Sequence, residues 1–208
     1  MRAWIFCGVC VVASQPAVCQ DAPGGARTYG TMETLLEKSI FKVDVLTLEV
    51  RVDDATARRI GDVVAGLDYG NQLADSVAAL ALRAPRAHAT IHFLRDISLD
   101  QFLEGIDDDM RRAVEVAWLE SDDYDRIRQS LPQWFAFLEE RRLLDGDEIT
   151  YSIYGDTLMT VYRGADGSIL LEQTDVGRGA RESVLGTYFA PKSSFRKGLI
   201  ESLFRKSG

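Results

Sequence analysis

Apolar and polar positions alternate along this chain in two distinct periods, and the changes between them mark out its elements. Phe41 to Val52 (FKVDVLTLEVRV) is rich in β-branched and apolar residues and predicts a strand. Both alternating sets are apolar at its centre, which predicts a strand covered on both faces. Asp54 is placed to cap a helix running to about Ala65, with Gly66 as its stop. Asn71 to Arg83 predicts a second helix with Leu73, Val77 and Leu80 on one face, and Pro85 prevents its continuation. Ala89 to Arg95 (ATIHFLR) predicts another strand. It breaks at Arg95-Asp96, where Ser98 and Gln101 form a capping box and Ile97 can staple onto Phe102. Leu99, Phe102, Ile106, Met110, Ala113 and Ala117 then recur at steps of three and four, the period of a long amphipathic helix. Ser121-Asp122-Asp123 recaps it, Tyr124, Ile127 and Leu131 continue the pattern, and Pro132 is expected to begin a new helical turn.

After Gly146-Asp147 the period shortens to two. Glu148 to Tyr154 and Thr157 to Arg163 flank Gly155-Asp156, a two-residue hairpin signal, and Gly164 to Gly167 turns the chain into Ser168 to Thr174. Two short helices, Arg178 to Phe189 and Ser194 to Lys206, close the chain around Pro191. Meander connections force antiparallel neighbours. The order predicts an α+β fold with helices packed on one face of an antiparallel sheet.

Composition narrows the function classes. At 208 residues and 46% hydrophobic, the chain has enough apolar residues for one domain with a full core. A net charge of −8 argues against nucleic acid and against an anionic membrane surface, because both need a basic patch. Residues 1–19 have the form of an export leader: Arg2, the apolar run Ala3 to Ala13, and small residues at Ala17-Val18-Cys19 before Gln20. That run is too short to span a bilayer, so no stable membrane insertion is expected after cleavage. All three cysteines (Cys7, Cys10, Cys19) fall inside the leader, leaving a mature chain without disulfides in an oxidising compartment. A lipid anchor on Cys19 is disfavoured by Val18. Residues 20–28 read as a flexible lead-in, and 29–208 as the domain.

Four blocks, in a shared order, carry a family resemblance: FKVDVLTLEV (Phe41 to Val50), ATIHFLRDISLDQFLEGIDDDM (Ala89 to Met110), LPQWFAFLEERRLLDGDEITYSI (Leu131 to Ile153) and ESVLGTYFAPKSSFRKGLIESL (Glu182 to Leu203). On these residues the chain resembles the chalcone isomerase-like family, and its leader resembles the exported bacterial members. The resemblance implies an open-faced β-sandwich, a large antiparallel sheet backed by a layer of helices with a ligand cleft between. Family members include plant isomerases and plastid proteins that bind fatty acids.

Carried over residue by residue, the isomerase set is not matched. The family's arginine falls near Leu36 to Lys38, where no arginine stands, and a lysine offers no bidentate fork. Its threonine falls at Asp44, its tyrosine at Phe102, its asparagine at Asp109 and a small hydroxyl residue near Arg181. Ring closure needs donors that steady a developing oxyanion. An acid and a bare aromatic ring do not supply them. The resemblance therefore implies a non-catalytic protein that holds a small apolar or amphipathic ligand, such as a fatty acid, with no cofactor. The alternatives are an isomerase or lyase with a rearranged site, and a structural envelope module whose cleft is filled by its own side chains. A cleft of less than roughly 300 Å³ would favour the module.

The candidate ligand-binding residues are Lys42, Asp44, His92, Phe102 and Arg181. Lys42 and Asp44 share a strand side, where the competing reading is a solvated face or an internal ion pair. His92 lacks a catalytic partner and reads more readily as a hydrogen-bonded strand histidine. His88 is expected to be exposed just before the strand. A metal shared by the two histidines is not expected, because four strand residues separate them by roughly 13 Å. Arg181 near a helix start can hold a carboxylate bidentately or simply pair with Glu182. Asp107-Asp108-Asp109 fans around a helix and reads as a solvated face, and Trp134, Phe135 and Phe137 read as core. N-terminal sequencing of the exported protein is expected to begin at Gln20; a chain retaining Met1 would remove the export reading.

Overall fold

The structure is a computed structural model describing residues 30–38, 43–177 and 179–204. Lys42, Arg178 and residues 1–29, which include the three cysteines, lie outside the described residues. Six strands form one sheet in chain order: β1 (Thr31–Lys38), β2 (Val43–Val52), β3 (Arg86–Phe93), β4 (Glu148–Tyr154), β5 (Thr157–Arg163) and β6 (Ile169–Val176). Every neighbouring pair is antiparallel. The helices are α1 (Asp54–Val64), α2 (Asn71–Leu82), α3 (Leu99–Glu115), α4 (Ser121–Trp134), α5 (Leu138–Arg141), α6 (Thr187–Phe189) and α7 (Arg196–Ser202), with a π-helical turn at Glu182–Gly186. This is the α+β, open-faced architecture expected from the sequence. Among the described residues no helix is long and apolar enough to cross a membrane.

The strand alternation decides which face the helices cover. In β3, Ala87, Ala89, Ile91 and Phe93 are buried, while Arg86 and His92 are exposed. Ile149, Tyr151 and Ile153 of β4 and Leu158, Thr160 and Tyr162 of β5 continue the buried face. β2 corrects one expectation. Leu46, Leu48, Val50 and Val52 are buried, but Thr47 and Glu49 are only half-buried and Arg51 is exposed, so one face of the strand is covered and not two. Val45, on the other side, is buried only near the start of the strand.

Local signals account for most boundaries. Asp53, one residue before the expected Asp54, caps α1 by accepting from the Ala55 and Thr56 amides. The Ser98/Gln101 capping box opens α3 as expected. Pro132 begins no new helix; it lies in the last turn of α4, which ends two residues later. It removes one donor there, and the ladder resumes beyond it with the Phe135 amide donating to the Leu131 carbonyl at 3.1 Å. Two glycines set close approaches. A Cβ at Gly198 would overlap the Thr34 hydroxyl, which fixes α7 against β1, and Gly179, at φ +83°, lies directly over Asp123.

One buried carboxylate joins the helical layer to the sheet. Asp147 is fully buried and accepts from the Arg141 guanidinium at 2.5 and 2.7 Å and from the Tyr162 hydroxyl at 2.6 Å. It also accepts from the backbone amides of Leu144 at 2.9 Å and Ala165 at 3.0 Å. Burial alone would raise its pKa, but Arg141 and the other donors outweigh it and hold the carboxyl at about 2. A depressed native pKa stabilises the fold above the unfolded value and loses that contribution as pH falls through the native one. Relative to 3.8, the shift corresponds to about 2 kcal/mol, present above about pH 4 and lost towards pH 2. Asp147→Asn is expected to cost about 3 kcal/mol in urea unfolding at pH 7 and to flatten the loss of stability between pH 4 and pH 2.

Candidate functional site

Between the sheet and the helical layer lies a cavity of about 200 Å³. Its walls are mostly apolar. Phe93 of β3, Phe102 of α3 and Phe135 after α4 stack edge to face, with centroids 5.9 Å and 5.1 Å apart. Phe135 neighbours Phe137, and Phe137 stands edge-on to Tyr162 at 5.2 Å, so the cavity wall continues into the Asp147 cluster. Val45 and Leu46 of β2, Leu158 of β5 and Ile127, Leu131 and Trp134 of α4 complete the apolar lining.

Polar groups converge on one part of this wall. Tyr151, Thr160 and Gln173 are cross-strand neighbours on β4, β5 and β6, all facing the helices. Opposite them stand Asp109 of α3 and Ser183, Thr187 and Tyr188 from the π-helical turn and α6. The wide turn is what presents Ser183, Val184, Thr187 and Tyr188 to the same space. Asp109 is buried and pairs with Arg112 one turn on; their side chains are 11% and 35% exposed, so the carboxylate faces in and the guanidinium faces out. Burial pushes the Tyr151 hydroxyl well above the usual tyrosine range. Tyr188 is raised by burial first and then by the neighbouring Tyr151 and Asp109. Both hydroxyls are therefore neutral donors at any physiological pH.

Of the five residues expected to line a ligand site, the three with described side chains, Phe102, His92 and Arg181, do not come together. Phe102 lines the cavity. His92 is on the opposite, uncovered face of the sheet, exposed, with Nδ1 3.2 Å from Glu148. Arg181 does not border the cavity. Its Nη2 donates to the Gly155 carbonyl at 2.7 Å, tying the C-terminal segment to the β4–β5 hairpin. The backbone of Asp44 is in register with that of Glu37 across β1 and β2, next to a bulge. Lys42 is outside the described residues. His88 is not an exposed residue before the strand but a half-buried one within β3, 3.0 Å from the Ser152 hydroxyl.

The acidic run behaves differently at each position. Asp107 accepts from the Tyr124 hydroxyl at 2.8 Å, Asp108 pairs with Arg111, and Asp109 turns inward, so the expectation of a solvated face fails at Asp109. The reason is spacing: Asp109 is seven residues after Phe102 and three after Ile106, on the apolar stripe of α3. Tyr151, Thr160, Gln173 and Tyr188 were not singled out in the sequence. For Tyr151 a signal existed, since it alternates with Ile149 and Ile153. Trp134 and Phe135 serve both as core and as cavity wall, whereas Phe137 packs away on Tyr162.

No family model matches the sequence, and no curated protein matches it. Among solved structures, the crystal structure of an Arabidopsis thaliana fatty-acid binding protein is similar, with a TM-score of 0.51 at 16% sequence identity, covering 85% of this chain and 88% of that one. That likeness places the fold in the chalcone isomerase-like class. Gly105, in the middle of α3, borders the cavity, and a Cβ there would meet nothing within 4 Å. Gly105→Ala is therefore expected to raise stability by about 0.5–1 kcal/mol through helix propensity alone; a loss in thermal unfolding would show that the space around Gly105 is not open.

Proposed function

We propose that this is an exported, non-catalytic binding protein that holds a small apolar or amphipathic molecule between its sheet and its helices. The observation that carries the reading is a mostly apolar cavity whose wall includes convergent polar groups, the usual build of a small-molecule site. The fold shared with a fatty-acid binding protein supports it, and a fatty acid is one member of the ligand class. The leader pattern supports export. The absence of turnover is supported by Phe102, which has no hydroxyl to donate, and by Asp109, which adds negative charge where an oxyanion would need donors.

Size limits the ligand. The cavity is smaller than the roughly 300 Å³ at the low end of ligand pockets, which favours a short chain over a long one. The same observation favours a second reading, an envelope interaction module with its cleft nearly filled by its own side chains. One experiment separates them. Protein purified without detergent from its own compartment is analysed by native mass spectrometry and titrated with the apolar fluorophore 1-N-phenylnaphthylamine. The binding reading expects an adduct of at most a few hundred daltons, displaceable by the fluorophore, and its loss in Gly105→Phe, which fills the cavity while circular dichroism remains unchanged. A clean mass with no fluorophore binding would establish the module instead.

A further inference from the structure

We infer that the cavity selects a neutral head group that both donates and accepts hydrogen bonds, an alcohol or primary amide on a short apolar chain, over a carboxylate. This rests on the binding reading above and narrows its ligand class. Three hydroxyls border the cavity, those of Tyr151, Thr160 and Tyr188, on residues each at most 9% exposed. Among the described residues none of the three bonds to a protein group, and the one fully enclosed polar side-chain atom left without a partner is Nε of Arg181. The three hydroxyls are thus not sealed orphans. They open on the cavity, and a buried hydroxyl gains most when something there completes its bonds.

The remaining polar groups fix the sign. Asp109 contributes a carboxylate, an acceptor that carries negative charge inward while Arg112 stays on the outer side. The Gln173 amide nitrogen donates to both carboxylate oxygens of Asp175, at 3.2 and 3.4 Å, and its carbonyl oxygen can accept. Ser183 donates to the Ala180 carbonyl at 2.8 Å and Thr187 to the Ser183 carbonyl at 2.6 Å, so these hydroxyls also offer lone pairs and no proton. A carboxylate can accept from the three hydroxyls, but it supplies no proton to these acceptors and its charge is repelled by Asp109. An alcohol or amide supplies a proton to the acceptors and lone pairs to the three free hydroxyls. Arg95, the one cationic residue bordering the cavity, is distant from this cluster. It follows Phe93 by two residues, whereas Tyr151 pairs with Ala89, about 13 Å earlier along β3.

The test is calorimetric titration of the delipidated full-length mature protein at pH 8 with 1-octanol, octanamide, octanoate and octylammonium, four head groups on one chain. Octanol and octanamide are expected to bind at least tenfold tighter than octanoate. Asp109→Asn is expected to improve octanoate at least fivefold and to change octanol less than twofold. Should Asp109→Asn not fold, Tyr151→Phe removes a hydroxyl that no protein group uses, and octanol binding is expected to weaken at least fivefold. Octanoate binding as tightly as octanol or tighter, with the advantage lost in Arg95→Gln, would place the head group at Arg95 and overturn the inference while leaving the binding reading intact. A preference for octylammonium would also overturn it, by showing that Asp109 acts as a counter-ion. Failure of all four to bind would overturn the binding reading itself.

Discussion

A carboxylate with no access to water holds the two layers of this protein together. Asp147 closes the turn before β4, receives the Arg141 guanidinium from α5 and the Tyr162 hydroxyl from β5, and takes backbone amides from two separate loops. A buried charge is tolerable only when every lone pair is used, and here the donors come from both layers. The consequence reaches the cavity. Tyr162 stands edge-on to Phe137, Phe137 neighbours Phe135, and Phe135 packs on Phe102, which packs on Phe93. The ion pair thus fixes where the chain leaves the helices for the sheet, and the aromatic series carries that position into the cavity wall.

The two sides of the cavity differ in chemistry. On the sheet side, Tyr151 and Thr160 offer hydroxyls; on the helix side, Asp109 offers an acid where the family resemblance expects an amide. The two neutral tyrosine hydroxyls can donate, but the Asp109 carboxylate disfavours a developing anion beside it, because a low dielectric strengthens like-charge repulsion as much as it strengthens attraction. The same arrangement suits a guest that supplies protons to be shared. The modest volume follows from the size of Phe93, Phe102, Phe135 and Trp134 along the wall.

Much of the fold was legible because local signals agreed with the tertiary outcome. The bounds of β4 and β5 and the hairpin between them follow from period-two alternation around Gly155-Asp156, and the start of α3 follows from its capping box. β1 was not legible. Its sequence, TMETLLEK, is made largely of residues at home in helices, and pairing with β2 is what makes it a strand. The π-helical turn also lacks a local signature, so the inward aim of Ser183, Thr187 and Tyr188 was hidden. The site was less legible than the fold for a related reason. Sequence singles out charged and catalytic residue types, and these mostly went elsewhere: His92 to the uncovered face and Arg181 to a hairpin carbonyl. The residues that border the cavity are hydroxyl-bearing members of apolar alternations, which read as core. Asp109 is the exception, and its place on the stripe of α3 was visible in its spacing from Phe102.

The most direct measurement is a crystal structure of the protein purified from its own compartment without delipidation. The account predicts continuous, elongated density along Phe102 and Phe135, ending within hydrogen-bond reach of the Tyr151 and Tyr188 hydroxyls. A cavity holding only discrete waters, or side chains of Phe102 and Trp134 collapsed into it, would contradict the claim that this space exists to hold a ligand.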